Sequence, residues 1–448
     1  MSFMISFICV QDPSLFPTVL FVKVDKRAIS RVLALVIAVI VIVAGVGGYF
    51  AYTTLFPPAP KVTEVRIGCP YPLSGTAATI GLDCKPLIEW FVDQINKEGG
   101  IKSLGGAKIK AIFADTESKP EIARVQAAKL ITEDKCVVLM DGTLSGNALT
   151  QAEECEKYGV PIILGASSSP TLTESGFKYT FRHWAHDKML ARSLFAFLKE
   201  LEKGSGKKVE TIAIVTDNTL FGVDCGKAYK SANEDPKIGG YKIVEHIEFP
   251  IGPTDLTSEV ARLKVAKPQA LFLAVTTAGD CILLQRTFKK MDFNFWALLS
   301  GSGHHMPEYE AIGKTAWYAY IRLPYGPDLI LKKTWVKSIA DKFKELTGRG
   351  FTAYPAAAYA SLVLIRETLE KCGSIDPKKI RDTLAVIDLP AEKIPLAYGI
   401  KFDENGQNIY ALPVINQLQE TGWRTVWPTE VATIKAIFPQ PTWTERGD

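Results

Sequence analysis

What the sequence lacks sets the first limits. Across 448 residues and eight cysteines there is no C-x-x-C pair, which excludes zinc ribbons and thioredoxin-like redox chemistry. No G-x-S-x-G marks a nucleophile elbow, and the serine runs have no identifiable His/Asp partner. The stretch "GVDCGKA", Gly222 to Ala228, has the Gly and Lys of a phosphate loop without its four-residue spacing or its closing Ser/Thr. "HHMPE", His304 to Glu308, would need a helix to bring metal ligands onto one face, and Pro307 breaks it. It reads instead as a strand-end loop whose histidines lie at the surface or touch a ligand. An excess of one charge is also missing. The net charge is +4, and Lys23, Lys26, Arg27 and Arg31 against Asp12 and Asp25 supply half of it. The remainder carries no electrostatic footprint for nucleic acid. No metal or cofactor is expected, and the enzyme readings find no constellation to rest on.

What is present is apolar. Hydrophobic residues make up 47% of the chain, enough to bury a large core and build two domains. From Val32 to Tyr52 runs "VLALVIAVIVIVAGVGGYFAY", 21 residues without a charge, long enough as a helix to cross about 30 Å of hydrocarbon. It reads as a transmembrane anchor over 32–54, with a cleaved signal peptide and a buried core helix as rival readings. The basic residues precede the run and only Lys61 follows closely. The positive-inside bias therefore keeps 1–31 cytoplasmic and exports everything after the span. "FPPAPK" lies within a stiff linker, 55–62. Outside the cell disulfides are chemically permitted. Sequence proximity would pair Cys69 with Cys84, Cys136 with Cys155, and Cys225 with Cys281, leaving Cys372 single; buried free thiols are the alternative.

Beyond the linker, apolar strands alternate with amphipathic helices. "VRIGCPYPL", "IKAIFAD", "CVVLMDG" and "PIILGAS" are separated by helical stretches, and a second series opens at "TIAIVTD". This predicts an α/β fold of two doubly wound lobes. Ligands in such sheets bind at the C-terminal strand ends. Four of these ends are rich in small hydroxyls: "PLSGTA", "MDGTLSGNAL", "LGASSSPTL" and "TDNTLFG". Hydroxyls together with helix-start N–H groups hold a carboxylate or other small polar group without a counter-charge. Helix capping is the alternative use of each one.

At these residues the chain resembles the branched-chain amino-acid-binding proteins that feed ABC importers. The resemblance rests on "PLSGTAATIGLDCKPLIEWFVDQINKEGGI", "ADTESKPEIARVQAAKLI", "YGVPIILGASSSPTLT", "FRHWAHDKMLARSL" and "TIAIVTDNTLFGVDCGKAYK". It implies the type I periplasmic-binding fold, two Rossmann-like lobes joined by a three-stranded hinge. Lobe one is then 63–184 completed by 322–408, and lobe two is 185–321 completed by 409–448. By the same resemblance Ser145, Ala166 and Ser168 hold the ligand's carboxylate and ammonium, with Ser167 beside them. Phe221 keeps one aromatic wall, and the other falls on Thr276 or Thr277. The family's acidic partner for the ammonium falls near Ser302, where no carboxylate stands. Two readings follow: Asp217, Asp224 or Asp280 reaches the cleft in its place, or the ligand carries no ammonium. The implied protein is a membrane-anchored extracytoplasmic solute-binding component whose partners are an ABC permease and its ATPase subunits. A ligand-sensing receptor ectodomain acting through a partner is the alternative.

Overall fold

A computed structural model describes residues 38–44 and 62–447. The expected segment 1–31 and most of the anchor and linker lie outside the described residues. Within 32–54 only 38–44 are described, as a helical stretch of exposed side chains. No helix among the described residues is long and apolar enough to cross a membrane.

From Val62 onward strand and helix alternate. The first series is β1 (Glu64–Tyr71), α1 (Ala78–Lys97), β2 (Lys108–Asp115), α2 (Pro120–Thr132), β3 (Val138–Met140), α3 (Ser145–Tyr158), β4 (Ile162–Leu164), α4 (Thr171–Glu174) and β5 (Thr180–Arg182). Its strands form one sheet in the order β2-β1-β3-β4-β5, parallel throughout. The second series is α5 (Asp187–Ser205), β6 (Thr211–Asp217), α6 (Leu220–Glu234), β7 (Lys242–Phe249), α7 (Thr257–Ala266), β8 (Ala270–Val275), α8 (Ala278–Lys290), β9 (Ala297–Ser302), α9 (Pro307–Glu310) and β10 (Tyr320–Leu323). Four helices follow, α10 (Pro327–Ile330), α11 (Thr334–Thr347), α12 (Ala353–Cys372) and α13 (Pro377–Leu384), then the strands β11 (Asp388–Leu389), β12 (Ile400–Lys401), β13 (Val414–Gln419) and β14 (Gly422–Trp427). The second sheet runs β14-β13-β10-β9-β8-β6-β7, with β13 and β14 joining antiparallel at one edge.

The local sequence explains these elements. β8 reads "ALFLAV" and is fully buried along its length, as expected of a strand covered on both faces. After α1, Gly99 and Gly100 adopt φ of 109° and 73°, and a Cβ on Gly100 would meet the Ala107 carbonyl oxygen at 2.4 Å. The chain passes between the sheets after β5, after β10 and again before β13. The middle passage carries α12 back to the first sheet, where Tyr359 stacks on Phe91 of α1 with ring centroids 4.1 Å apart.

Two expectations are corrected. The seven described cysteines are free, so none of the three proposed pairs forms. Cys225 and Cys281 occupy separate niches: Cys225 faces the Arg322 guanidinium, Sγ to Nη2 2.8 Å, while Cys281 faces the ring of His304 at 3.1 Å. Burial pushes the Cys225 thiol up to about 12. The "HHMPE" histidines are also not at the surface. His304 and His305 form a buried turn before α9, with His304 packed on the Tyr309 ring.

Burial depresses all five histidines below their ordinary value of 6.5, His183, His186 and His305 to about 4, His304 to about 3, and the half-buried His246 in the same direction. The unfolded chain takes up these protons near pH 6.5 and the folded chain does not, so stability falls as pH drops through that window toward about 4. Thermal melts should show a steady loss of Tm across this range and little change just above it. A flat profile over the window would show that the histidines are not held neutral.

Candidate functional site

A cavity of about 350 Å³ lies where the C-terminal strand ends of both sheets meet. Thr76 after β1, Ser118 after β2, Thr143 after β3, Asn218 after β6, Ile251 after β7 and Thr276 after β8 all line it. A volume of this size suits a small molecule.

Aspartates at the strand ends build its rim. Asp115 at the end of β2 accepts the amides of Leu73 and Ser74, 2.9 and 3.1 Å, from the loop after β1, and that of Glu117 at 2.8 Å. Asp141, just past β3, accepts the Thr143 amide at 3.1 Å, the Gly165 amide from the loop after β4, and the Ser167 hydroxyl. Asp217 at the end of β6 accepts the Thr219 amide at 3.1 Å and the Thr276 amide at 2.6 Å, the latter from the loop after β8. Each carboxylate thus ties its own loop to that of the next strand. Burial drives the Asp141 pKa up, and its bonds to Ser167, Gly165 and Thr143 oppose that rise without cancelling it.

The serine run divides its hydroxyls between two directions. Ala166 and Ser168 line the cavity, whereas Ser167 points back to Asp141 and Ser169 points outward to Asp224 on α6. Arg182, fully buried, holds the run from behind by donating to the Ser169 carbonyl at 2.6 Å and to Gln407 at 2.7 Å. Ser145 lines the cavity and accepts the Ser169 amide at 3.3 Å. It caps no helix, because the N-cap position of α3 is Leu144.

Of the residues expected at the site, the structure brings together Ser145, Ala166, Ser168, Phe221, Thr276 and Ser302. Ser167 is corrected to a support, since its hydroxyl is bound to Asp141 behind the loop. Thr277 is corrected to a helix cap: its Oγ1 accepts the Asp280 amide at 3.1 Å at the start of α8. None of the three candidate aspartates lines the cavity. Asp217 clips strand ends, Asp280 accepts the Gly252 amide at 3.2 Å, and Asp224 accepts Ser169, Thr171 at 2.7 Å and Lys227 at 3.1 Å. Burial works against the Asp224 charge, but Ser169, Thr171 and Lys227 more than offset it and hold its pKa below the usual carboxylate range.

Sequence reasoning missed Trp184, Arg322 and Tyr354, which also line the cavity. Trp184 and Tyr354 add aromatic surface beside Phe221, so the wall lost at Thr276 is rebuilt from other elements. Arg322 lies in β10, and its Nη2 meets Asp187 of α5 at 2.8 Å in a fully buried ion pair. The available signal was a charge inside an otherwise apolar crossing segment, as in "YIRLPYG" and "FRHWAHD". Two lining residues carry backbone strain, Thr143 at φ 74° and Ser302 at φ 63°, ψ −115°. Such strain persists only where its surroundings fix it, and it gathers at ligand sites. Ser302 is held by bonds to the Thr276 carbonyl at 3.2 Å and to the Tyr354 hydroxyl at 3.0 Å.

Comparison with known proteins places this geometry. The family model described as "Periplasmic binding protein" matches residues 64–417. A Leu/Ile/Val-binding protein homolog of Brucella abortus is 24% identical over 396 residues, covering 85% of this chain and 96% of its own. The substrate-binding protein LivJ of Streptococcus pneumoniae, solved with isoleucine, superposes with a TM-score of 0.70 at 18% identity, covering 84% of this chain and 100% of its own. An ABC-transporter solute-binding protein of R. palustris, solved with benzoate, gives 0.70 at 16% identity, covering 85% and 97%. Likenesses this remote show the fold.

The two cavity-facing serines should behave differently from the one behind them. Ser145→Ala and Ser168→Ala should each weaken ligand binding by about 1 to 3 kcal/mol with the fold intact. Ser167→Ala should instead lower thermal stability by removing a donor from buried Asp141. Titration calorimetry and melts separate the two effects, and unchanged affinity in both cavity variants would remove these hydroxyls from the site.

Proposed function

Because the chain belongs to the periplasmic binding protein family, we propose that it is the extracytoplasmic solute-binding component of an ABC importer, which binds and delivers a small solute and catalyses nothing. One observation carries this reading: a single cavity is lined by strand ends of both sheets. In this reading 63–184 with 322–408, and 185–321 with 409–448, act as two lobes hinged by the three crossings. A solute touching both lobes has more affinity for the closed form and so drives closure. Ser145, Ala166, Ser168, Phe221, Thr276 and Ser302 contact the solute, and the closed form docks on a permease that works with ATPase subunits. The isoleucine and benzoate held by two structural neighbours both join a carboxylate to a compact apolar body. They support a small solute of that build, an amino acid, amide or organic acid. The uncharged run from Val32 to Tyr52 and its basic flank support anchoring by 32–54, with the solute-binding part outside.

A thermal-stability screen against amino acids, amides, ureas, short peptides and aromatic acids tests the binding role. A true solute raises the melting point, by about 2.7 kcal/mol of stabilisation at a hundredfold excess over Kd. No stabilisation by any class would sink the proposal. Anchoring is tested separately by fractionation and external protease: the chain should sediment with membranes and be cleaved from outside. Recovery of the solute-binding part in the cytosol would overturn it.

A further inference from the structure

Resting on the reading of this cavity as the solute site, we propose that the solute is a small organic acid without an ammonium group, and that Arg322 selects it. Among the described residues lining the cavity Arg322 carries the only charge, and no Asp or Glu is present. The guanidinium is buried at 2% exposure and uses two of its three nitrogens: Nε donates to the Tyr229 hydroxyl at 3.3 Å, and Nη2 to Asp187 and Cys225, each at 2.8 Å. Nη1 makes no hydrogen bond to any described residue, so its N–H groups remain for whatever fills the cavity that Arg322 lines. Burial opposes the positive charge, and Cys225, Tyr229 and Asp187 more than offset it, holding the pKa well above the usual arginine value.

Asp187 does not convert this into a zwitterion site. Its Oδ1 accepts from Nη2, the hydroxyl of the cavity-lining Ser168 turns toward its carboxylate, and Oδ2 is sealed from the cavity. An ammonium in the cavity would therefore meet Arg322 first. It would also meet the first turn of α3, where Ser145 and Gly146 line the cavity and Leu144 supplies no side-chain cap. Free N–H groups at a helix start favour an anion and repel a cation. Asp217, Asp224 and Asp280 are bound elsewhere. A buried ammonium would thus lack a counter-charge, which costs several times an ordinary hydrogen bond. A carboxylate instead gains charge-assisted bonds from Nη1 and from the Ser145 hydroxyl.

The test uses the full chain and matched probes: isocaproate, benzoate and 3-phenylpropionate, their amides, and L-leucine and L-phenylalanine. Leucine is isocaproate bearing an ammonium, and phenylalanine is 3-phenylpropionate bearing one. Calorimetry should show an acid binding at least about tenfold more tightly than its amide and its amino acid. The paired variant Arg322→Gln with Asp187→Asn removes both buried charges together. It should lose the acid-over-amide preference by about 10- to 100-fold. If that variant fails to fold, the comparison of acid with amino acid on the unaltered chain decides alone. Tighter binding of leucine than of isocaproate would overturn the inference while leaving the solute-binding role standing. Failure of every probe and of every class in the wider screen would overturn both.

Discussion

The site depends on one repeated interaction, the carboxylate that closes a strand and binds the amides of a neighbouring loop. Asp115, Asp141 and Asp217 each accept the amide two residues ahead, together with an amide from a neighbouring strand end. Loops at the end of a parallel sheet have backbone donors that no ladder satisfies. One such carboxylate satisfies two loops and fixes their spacing at once. Residues on the free side of those loops, among them Thr143, Ser168 and Thr276, are then presented to the cavity by backbone that is already held. The strain at Thr143 is sustained in the same way, because Asp141 binds its amide.

Much of the fold was legible because its signals are local. Apolar runs such as "ALFLAV" and the glycine pair after α1 state their conformation within a few residues. The hydroxyl-rich strand ends were legible for the same reason, and six of the eight expected site residues do line the cavity. What stayed hidden depends on distant partners. The Arg322–Asp187 pair spans 135 positions and the Ser302–Tyr354 bond spans 52. Periodicity does not report which of three adjacent serines faces inward. Proximity also misled the cysteine pairing: Cys69 and Cys84 share one buried cluster, as do Cys136 and Cys155, yet all four are free thiols, and Cys225 and Cys281 lie in separate clusters.

Contacts across the cavity join the two halves chemically as well as by the chain crossings. Asp224 on α6 accepts Ser169 and Thr171, which follow β4, and Ser302 at the end of β9 meets Tyr354 on α12. All of these groups remain hydrogen-bond donors or acceptors when exposed, so water can replace each partner at small net cost. Polar seams of this kind separate and re-form more readily than an apolar one of equal area.

The alternation along Ala166, Ser167, Ser168 and Ser169 has a consequence for how this loop can change over generations. Side-chain identity at the cavity-lining Ala166 and Ser168 is free to drift, because Asp141 and Arg182 hold the loop through its backbone and through Ser167. Its length is not free. Losing or gaining one residue would exchange the inward and outward hydroxyls, setting the Asp141 and Asp224 contacts against the cavity contacts in a single step. Related chains that differ in solute should therefore diverge here by replacement and conserve the count of residues between β4 and α4.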